Sequence, residues 1–194
     1  MTADEPSTSE EATMTVQGIR GVGFCAECTQ VGDWALAVAL ECARRHEVRL
    51  DIFFFPSSPF EPHRPRGRRG EHTLLGHFES IELERRMRLY YDERLGDYLE
   101  VGFRLCEGDE DPELRRCLLV RKEYDVLVLP YLSYGCGFGD TPLIDFAHSM
   151  PCPVILVGPD RQDQLWLNSP ARPLVSTILP AAAVWRDVPV PLPV

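Results

Sequence analysis

Residues 21–55 read GVGFCAECTQVGDWALAVALECARRHEVRLDIFFF, and the fold turns on how this stretch is parsed. A short apolar run, Ile19–Cys25, ends in a polar turn. Trp34–Ala43 (WALAVALECA) is almost unbroken in its apolar character and places Ala35, Ala39 and Ala43 four residues apart. That spacing predicts a helix whose small residues let it lie close on a sheet. Val48–Phe55 (VRLDIFFF) is apolar at nearly every position, which predicts a strand buried on both faces. A strand, a helix and a second buried strand form the unit of a parallel sheet, because parallel neighbours need a long crossover between them.

The same alternation continues outward. Leu83, Met87, Tyr90, Tyr91 and Leu95 follow the stripe of a second helix. Tyr98–Cys106 alternates as a strand does. Asp111-Pro112 gives a cap followed by proline at the first helical position, and Leu114, Cys117 and Leu118 supply that helix with an inner face. Asp125–Pro130 (DVLVLP) predicts another buried strand. Thr141-Pro142 repeats the cap-plus-proline signal ahead of Leu143, Ile144, Phe146 and Ala147, and Val154–Val157 (VILV) closes the series. The expectation is an α/β chain: an open, doubly wound, five-stranded parallel sheet with helices on both faces. Ligands of such sheets bind beyond the carboxyl ends of the strands, where the strand order reverses. That rule selects the loops at Cys25–Val31, Pro56–Glu71 and Tyr131–Thr141.

The rest of the chain flanks this core. With 194 residues, one domain with appendages is expected. Residues 1–17 predict a disordered acidic tail, residues 18–158 the α/β domain, and residues 56–71 (PSSPFEPHRPRGRRGE) a flexible basic loop within it. Residues 159–194 hold seven prolines, which argue against long helices and central strands and for an extended arm. The formal charge of −10 opposes a phosphate backbone or an anionic membrane surface as the main partner. The N-terminus lacks the basic start and apolar core of a secretion signal, no apolar run approaches the ~20 residues of a bilayer span, and seven cysteines cannot all pair within one chain. The expected compartment is the reducing cytoplasm.

Three stretches carry a resemblance. They are residues 21–55 above, residues 102–129 (GFRLCEGDEDPELRRCLLVRKEYDVLVL) and residues 147–157 (AHSMPCPVILV). Over roughly residues 19–158 the chain resembles the universal stress protein family, within the wider class of adenine-nucleotide α-hydrolase-like folds. The resemblance implies the strand order 3-2-1-4-5 and a non-enzymatic, regulatory protein that binds ATP or AMP, with Mg2+, at the carboxyl edge of the sheet. It implies that Glu27 stands where nucleotide-binding members hold the adenine with an aspartate. Thr29, Gly135, Gly137, Gly139 and Thr141 would line the same cleft, and backbone groups near Phe54 would complete the adenine edge. It also implies a homodimer, since the last strand of such proteins often pairs with its mate. The loop YLSYGCGFGDTP (residues 131–142) departs from the binders' glycine spacing, is shorter than theirs and carries Asp140 where they have glycine, so its phosphate cradle is degenerate. A carboxylate at Asp140 opposes bound phosphate unless Mg2+ lies between them.

Plainer readings stand beside these. Thr141 fits an ordinary helix cap, the three glycines a tight turn, and Glu27 a solvated turn acid. A nucleotide-free dimeric scaffold of the same fold, meeting a protein partner through the basic loop or the C-terminal arm, is the second reading. The third is a thiol redox or metal protein using Cys25, Cys28 and Cys136, against which buried cysteine acts simply as a small hydrophobe. No G-x-S-x-G elbow and no G-x-x-x-x-G-K-[ST] loop occurs, so no catalytic residue is assigned.

Overall fold

A computed structural model describes residues 18–55, 77–106, 110–131, 137–138, 141–174 and 184–189. The expected tail (1–17) and basic loop (56–71) lie outside the described residues. Five parallel strands form the core: β1 (Gly21–Cys25), β2 (Arg49–Phe54), β3 (Val101–Leu105), β4 (Val126–Pro130) and, later in the chain, β7 (Val154–Val157). Their order across the sheet is β3-β2-β1-β4-β7, the order expected for strands 3-2-1-4-5.

Helices cover both faces. Helix α1 (Gln30–His46) and helix α2 (His77–Leu95) pack on one side, against Val22, Phe24, Leu50, Ile52, Val126 and Val128. Ala35, Ala39 and Ala43 are fully buried there, so the small-residue stripe does bring α1 close to the sheet. Leu83, Met87, Tyr91 and Leu95 form the inner stripe of α2, each at most 7% exposed. On the other face lie α3 (Glu110–Arg116), a π turn (Cys117–Arg121) and α4 (Leu143–Ser149), over Phe53, Phe55, Leu127 and Leu129. Tyr124 fills this layer by lying over Gly23, where a Cβ would come within 2.9 Å of its ring. Its hydroxyl donates to the Leu114 carbonyl at 2.7 Å.

The sheet has seven strands and is mixed, which corrects the expectation of five parallel ones. The two additional strands come from the proline-rich arm. Strand β8 (Gln164–Leu167) runs antiparallel to β7, and β9 (Val184–Asp187) runs parallel to β8. Prolines 170, 173, 180 and 189 flank these strands instead of interrupting them, so each four-residue segment keeps its N–H donors. Counting prolines hid the gaps between them. A 3-10 turn (Ser169–Leu174) follows β8, and the ring Nε2 of His148 on α4 meets the Pro189 carbonyl just beyond β9 at 2.7 Å. The remaining pair, β5 (Gly137–Phe138) and β6 (Thr141–Pro142), is a separate two-residue antiparallel ladder between β4 and α4. Among the described residues no helix is long and apolar enough to cross a membrane.

Candidate functional site

The strand order reverses between β1, whose chain proceeds to β2 on one side, and β4, whose chain proceeds to β7 on the other. The turn leaving β1 is therefore the place to look for a site. Ala26 N–H donates to the Phe53 carbonyl at 2.7 Å, extending the β1–β2 ladder one residue past β1. Thr29 then stops the strand. Its backbone is extended, at φ −126° and ψ 167°, and its hydroxyl oxygen accepts from Gly32 N–H at 3.1 Å as the N-cap of α1. The first turn of α1 folds back so tightly that a Cβ on Gly32 would lie 1.8 Å from the Glu27 carbonyl oxygen, so only glycine fits.

This folding-back buries Glu27, which is 6% exposed. Among the described residues no donor reaches its carboxylate and no cation pairs with it. Loss of solvation alone raises its pKa from 4.5 to about 7. Burial without a partner among the described residues sets Glu27 apart from an exposed turn acid. Its side chain is held, mostly buried and without a partner among the described residues, at the switch point of the sheet.

The neighbouring end of β2 adds backbone polarity. The Phe53 carbonyl faces β1, while the Phe54 carbonyl faces β3 and accepts from Cys106 N–H at 2.8 Å. Successive residues of a strand point their N–H and C=O groups to alternate sides. By that alternation Phe55, the residue after β2, turns its backbone groups back to the β1 side. The expected backbone groups near Phe54 thus comprise those of Phe55 on the β1 side, a distinction that needs the β2–β3 register.

Behind Thr29, Asp33 accepts from the Tyr90 hydroxyl at 2.8 Å and from Arg94 Nε at 2.9 Å, and the Arg94 guanidinium lies 3.7 Å from the Tyr90 ring centroid. This knot ties the first turn of α1 to α2 and was not read from the sequence, where Tyr90 looked like a core residue. On the β4 side of the switch point, Tyr131 follows β4, donates its N–H to the Val157 carbonyl at 2.7 Å and stacks on Trp166 of β8 at 5.8 Å. Val31 of α1 reaches Gly158, just after β7, where φ is 99° and a Cβ would lie 2.8 Å from the valine.

The strand-4 loop is described in part. Gly135, Cys136, Gly139 and Asp140 lie outside the described residues, while Gly137 pairs with Pro142 and Phe138 with Thr141. Helix α4 begins one residue later than its cap-plus-proline signal predicts. Pro142 itself occupies the cap position, at φ −56° and ψ 141°, with no side-chain capping bond, and Thr141 belongs to β6.

Of the three candidate thiols, Cys25 and Cys28 fall among the described residues. Cys25 packs on the α3/α4 face, where burial raises its pKa well above the ordinary thiol value. Half-buried Cys28 is pushed up to about 12, chiefly by desolvation. Neither is a ready thiolate, the form that attacks disulfides or binds metal. Among the described residues no cluster of three His, Cys, Asp or Glu side chains could hold a metal.

No model of a known protein family matches the chain, and no curated protein sequence matches it. Solved structures do. The universal stress protein UspA from Lactobacillus plantarum aligns at 12% identity and a TM-score of 0.50, over 72% of this chain and 97% of that one. A universal stress protein in complex with cAMP aligns at 18% identity and a TM-score of 0.47, over 73% and 99%. One from Archaeoglobus fulgidus aligns at 15% identity and a TM-score of 0.44, over 71% and 97%. The fold of this chain is that of the universal stress proteins.

Proposed function

We propose that this protein binds an adenine nucleotide, ATP or AMP, at the carboxyl edge of β1 and β2, and acts through that binding and through association with a second copy or a protein partner, without catalytic turnover. The observation that carries the reading is the buried, uncompensated carboxyl of Glu27 at the switch point of the sheet. A buried polar group without a partner costs stability, and a ligand that satisfies it relieves that cost. The exocyclic amine of adenine supplies the missing donor, and the backbone of Phe55 offers both a donor and an acceptor to the rest of that base edge. Thr29, Gly135, Gly137, Gly139 and Thr141 belong to the same cleft on this reading, with Mg2+ between the phosphates and Asp140. The cytoplasm is the compartment that suits its thiols.

Titration calorimetry with ATP, AMP and GTP, with and without Mg2+, tests this. Adenine nucleotides should bind and GTP should not, and Glu27→Ala should weaken ATP binding roughly tenfold or more, the worth of one charge-assisted hydrogen bond. No heat at millimolar ATP with Mg2+, together with no nucleotide released on denaturing freshly purified protein, would overturn it. One observation favours the nucleotide-free scaffold as the second reading: the proline cap of α4 offers phosphate one N–H fewer than an ordinary helix start.

A further inference from the structure

Helix α3 hands over to β4 through the π turn, in which the Lys122 N–H reaches back to the Cys117 carbonyl and the Glu123 N–H meets the same oxygen at 3.1 Å. Cys117 is fully buried, and Lys122 closes the turn in the left-handed region at φ 55°. Holding both ends down in this way pushes the middle of the turn out: Leu119 is 58% exposed and Val120 74%. Cations flank them. Arg116 and Arg121 share the single carboxylate of Glu113, Glu123 is turned to Arg104, and among the described residues Lys122 has no anionic partner. The tip of the turn therefore joins two adjacent exposed aliphatic side chains to surplus positive charge, on a chain whose formal charge is −10. Turns of this class gather at functional sites.

The first described residue is Gly18, and the chain enters beside this tip. Arg20 N–H donates to Asp125 Oδ2 at 2.8 Å, and a Cβ on Gly21 would lie 2.6 Å from the Glu123 carbonyl oxygen. From Glu123 the chain spans at most ~11 Å to Val120. Residues 1–17 carry Asp4, Glu5, Glu10 and Glu11 and no lysine or arginine. Next to Gly18 they place Ala12, Met14 and Val16 at alternate positions, which share one side of an extended segment. At ~3.5 Å per residue Val16 reaches ~7 Å and Met14 ~14 Å from Gly18, comparable to the span of the tip. A tether this short gives the segment an effective concentration of about millimolar, which favours it over a free partner at micromolar concentration. We infer that residues 10–17 of this chain dock in cis on the π turn, Met14 and Val16 against Leu119 and Val120, and Glu10 and Glu11 toward Arg116, Arg121 and Lys122. The contact is autoinhibitory: it covers an association surface that a protein partner has to uncover. It rests on neither Glu27 nor the nucleotide reading.

Two-dimensional amide NMR spectra of the isotope-labelled full chain are the test. Met14→Ser with Val16→Ser should shift the amide signals of Leu118–Lys122 and leave those of the sheet in place. Leu119→Ser with Val120→Ser should move the signals of residues 10–17 to unstructured-peptide values, and Lys122→Glu or molar salt should move them part of the way. All these shifts should be independent of protein concentration. Unmoved Leu118–Lys122 signals in the Met14→Ser, Val16→Ser variant overturn the inference. That variant alters none of the described residues, so it decides the matter whether or not the Leu119→Ser, Val120→Ser variant folds. Shifts that grow with protein concentration overturn it too, because the segment seated on the turn then belongs to a second copy. ATP binding by the Met14→Ser, Val16→Ser variant should match the wild type, so failure of the docked segment and failure of the nucleotide reading are separable.

Discussion

Two strand ends of this molecule bury a polar side chain, and they do so in opposite ways. After β8, Asn168 is 1% exposed and its amide is fully used. Its Oδ1 accepts from Val154 N–H at 2.9 Å and Ala171 N–H at 3.2 Å, and its Nδ2 donates to the Cys152 carbonyl at 2.9 Å and the Ala147 carbonyl at 3.0 Å. After β1, Glu27 is 6% exposed and among the described residues has no partner. A satisfied buried amide locks neighbouring segments together, whereas an unsatisfied carboxyl stores a cost that a ligand can relieve. Asn168 is therefore architecture, clamping β7, the end of α4 and the 3-10 turn onto β8. The Glu27 turn holds a mostly buried carboxyl with no partner among the described residues.

The largest effect should come from breaking the clamp. Asn168→Ala leaves the Val154 N–H and the Cys152 and Ala147 carbonyls buried without their side-chain partner, and should lower unfolding free energy by about 3–5 kcal/mol in a urea titration. Asn168→Asp should be nearly as harmful, because it keeps the acceptor but turns a carboxylate toward two carbonyl oxygens. A loss below about 1 kcal/mol for both would show that the two ends differ less than their hydrogen bonds suggest.

Much of this contrast was beyond the sequence. The parallel core was legible because its strands are continuous apolar runs, VRLDIFFF, DVLVLP and VILV, and its helices carry the Ala35/Ala39/Ala43 and Leu83/Met87/Tyr91/Leu95 stripes. Strands β8 and β9 were not, because strands of four residues are too short for a periodicity to register. The position of Glu27 was legible and its burial was not, since the burial arises from Gly32 closing against its carbonyl. Asn168, standing before Ser169-Pro170, looks like a turn residue; its four partners at 147, 152, 154 and 171 meet only once the arm folds back.

A smaller effect of opposite sign is expected at Glu27. Its folded-state pKa, about 7, lies above the unfolded 4.5, so ionising it opposes folding. The cost is absent below the unfolded value, grows as pH rises between the two, and is complete above the folded one. Glu27→Gln keeps the shape without the charge. Allowing for solvent screening at the rim of the crevice, it should stabilise the ligand-free protein by about 1–2 kcal/mol at pH 8 and by much less at pH 5. Unfolding titrations at the two pH values check this. Equal effects at both would mean that the carboxyl is compensated, and the contrast with Asn168 would lose its basis.

The smallest effect sharpens the comparison at the residue between the two roles. Thr29 closes the Glu27 turn by capping α1, yet it also belongs to the proposed cleft. Thr29→Ala should cost about 1 kcal/mol of stability, with Thr29→Ser restoring it, since serine caps as well as threonine. A purely structural Thr29 predicts that both variants, once folded, bind ATP as the wild type does. A Thr29 that acts by holding Glu27 in its dry position predicts more. In the alanine variant the loosened turn lets water reach the carboxyl, its pKa falls back toward the ordinary range, and the pH-dependent gain from adding Glu27→Gln shrinks. Comparing that gain in the Thr29→Ala and Thr29→Ser backgrounds therefore measures whether the cap is what keeps Glu27 unsatisfied, a coupling that no clamp of the Asn168 kind would exhibit.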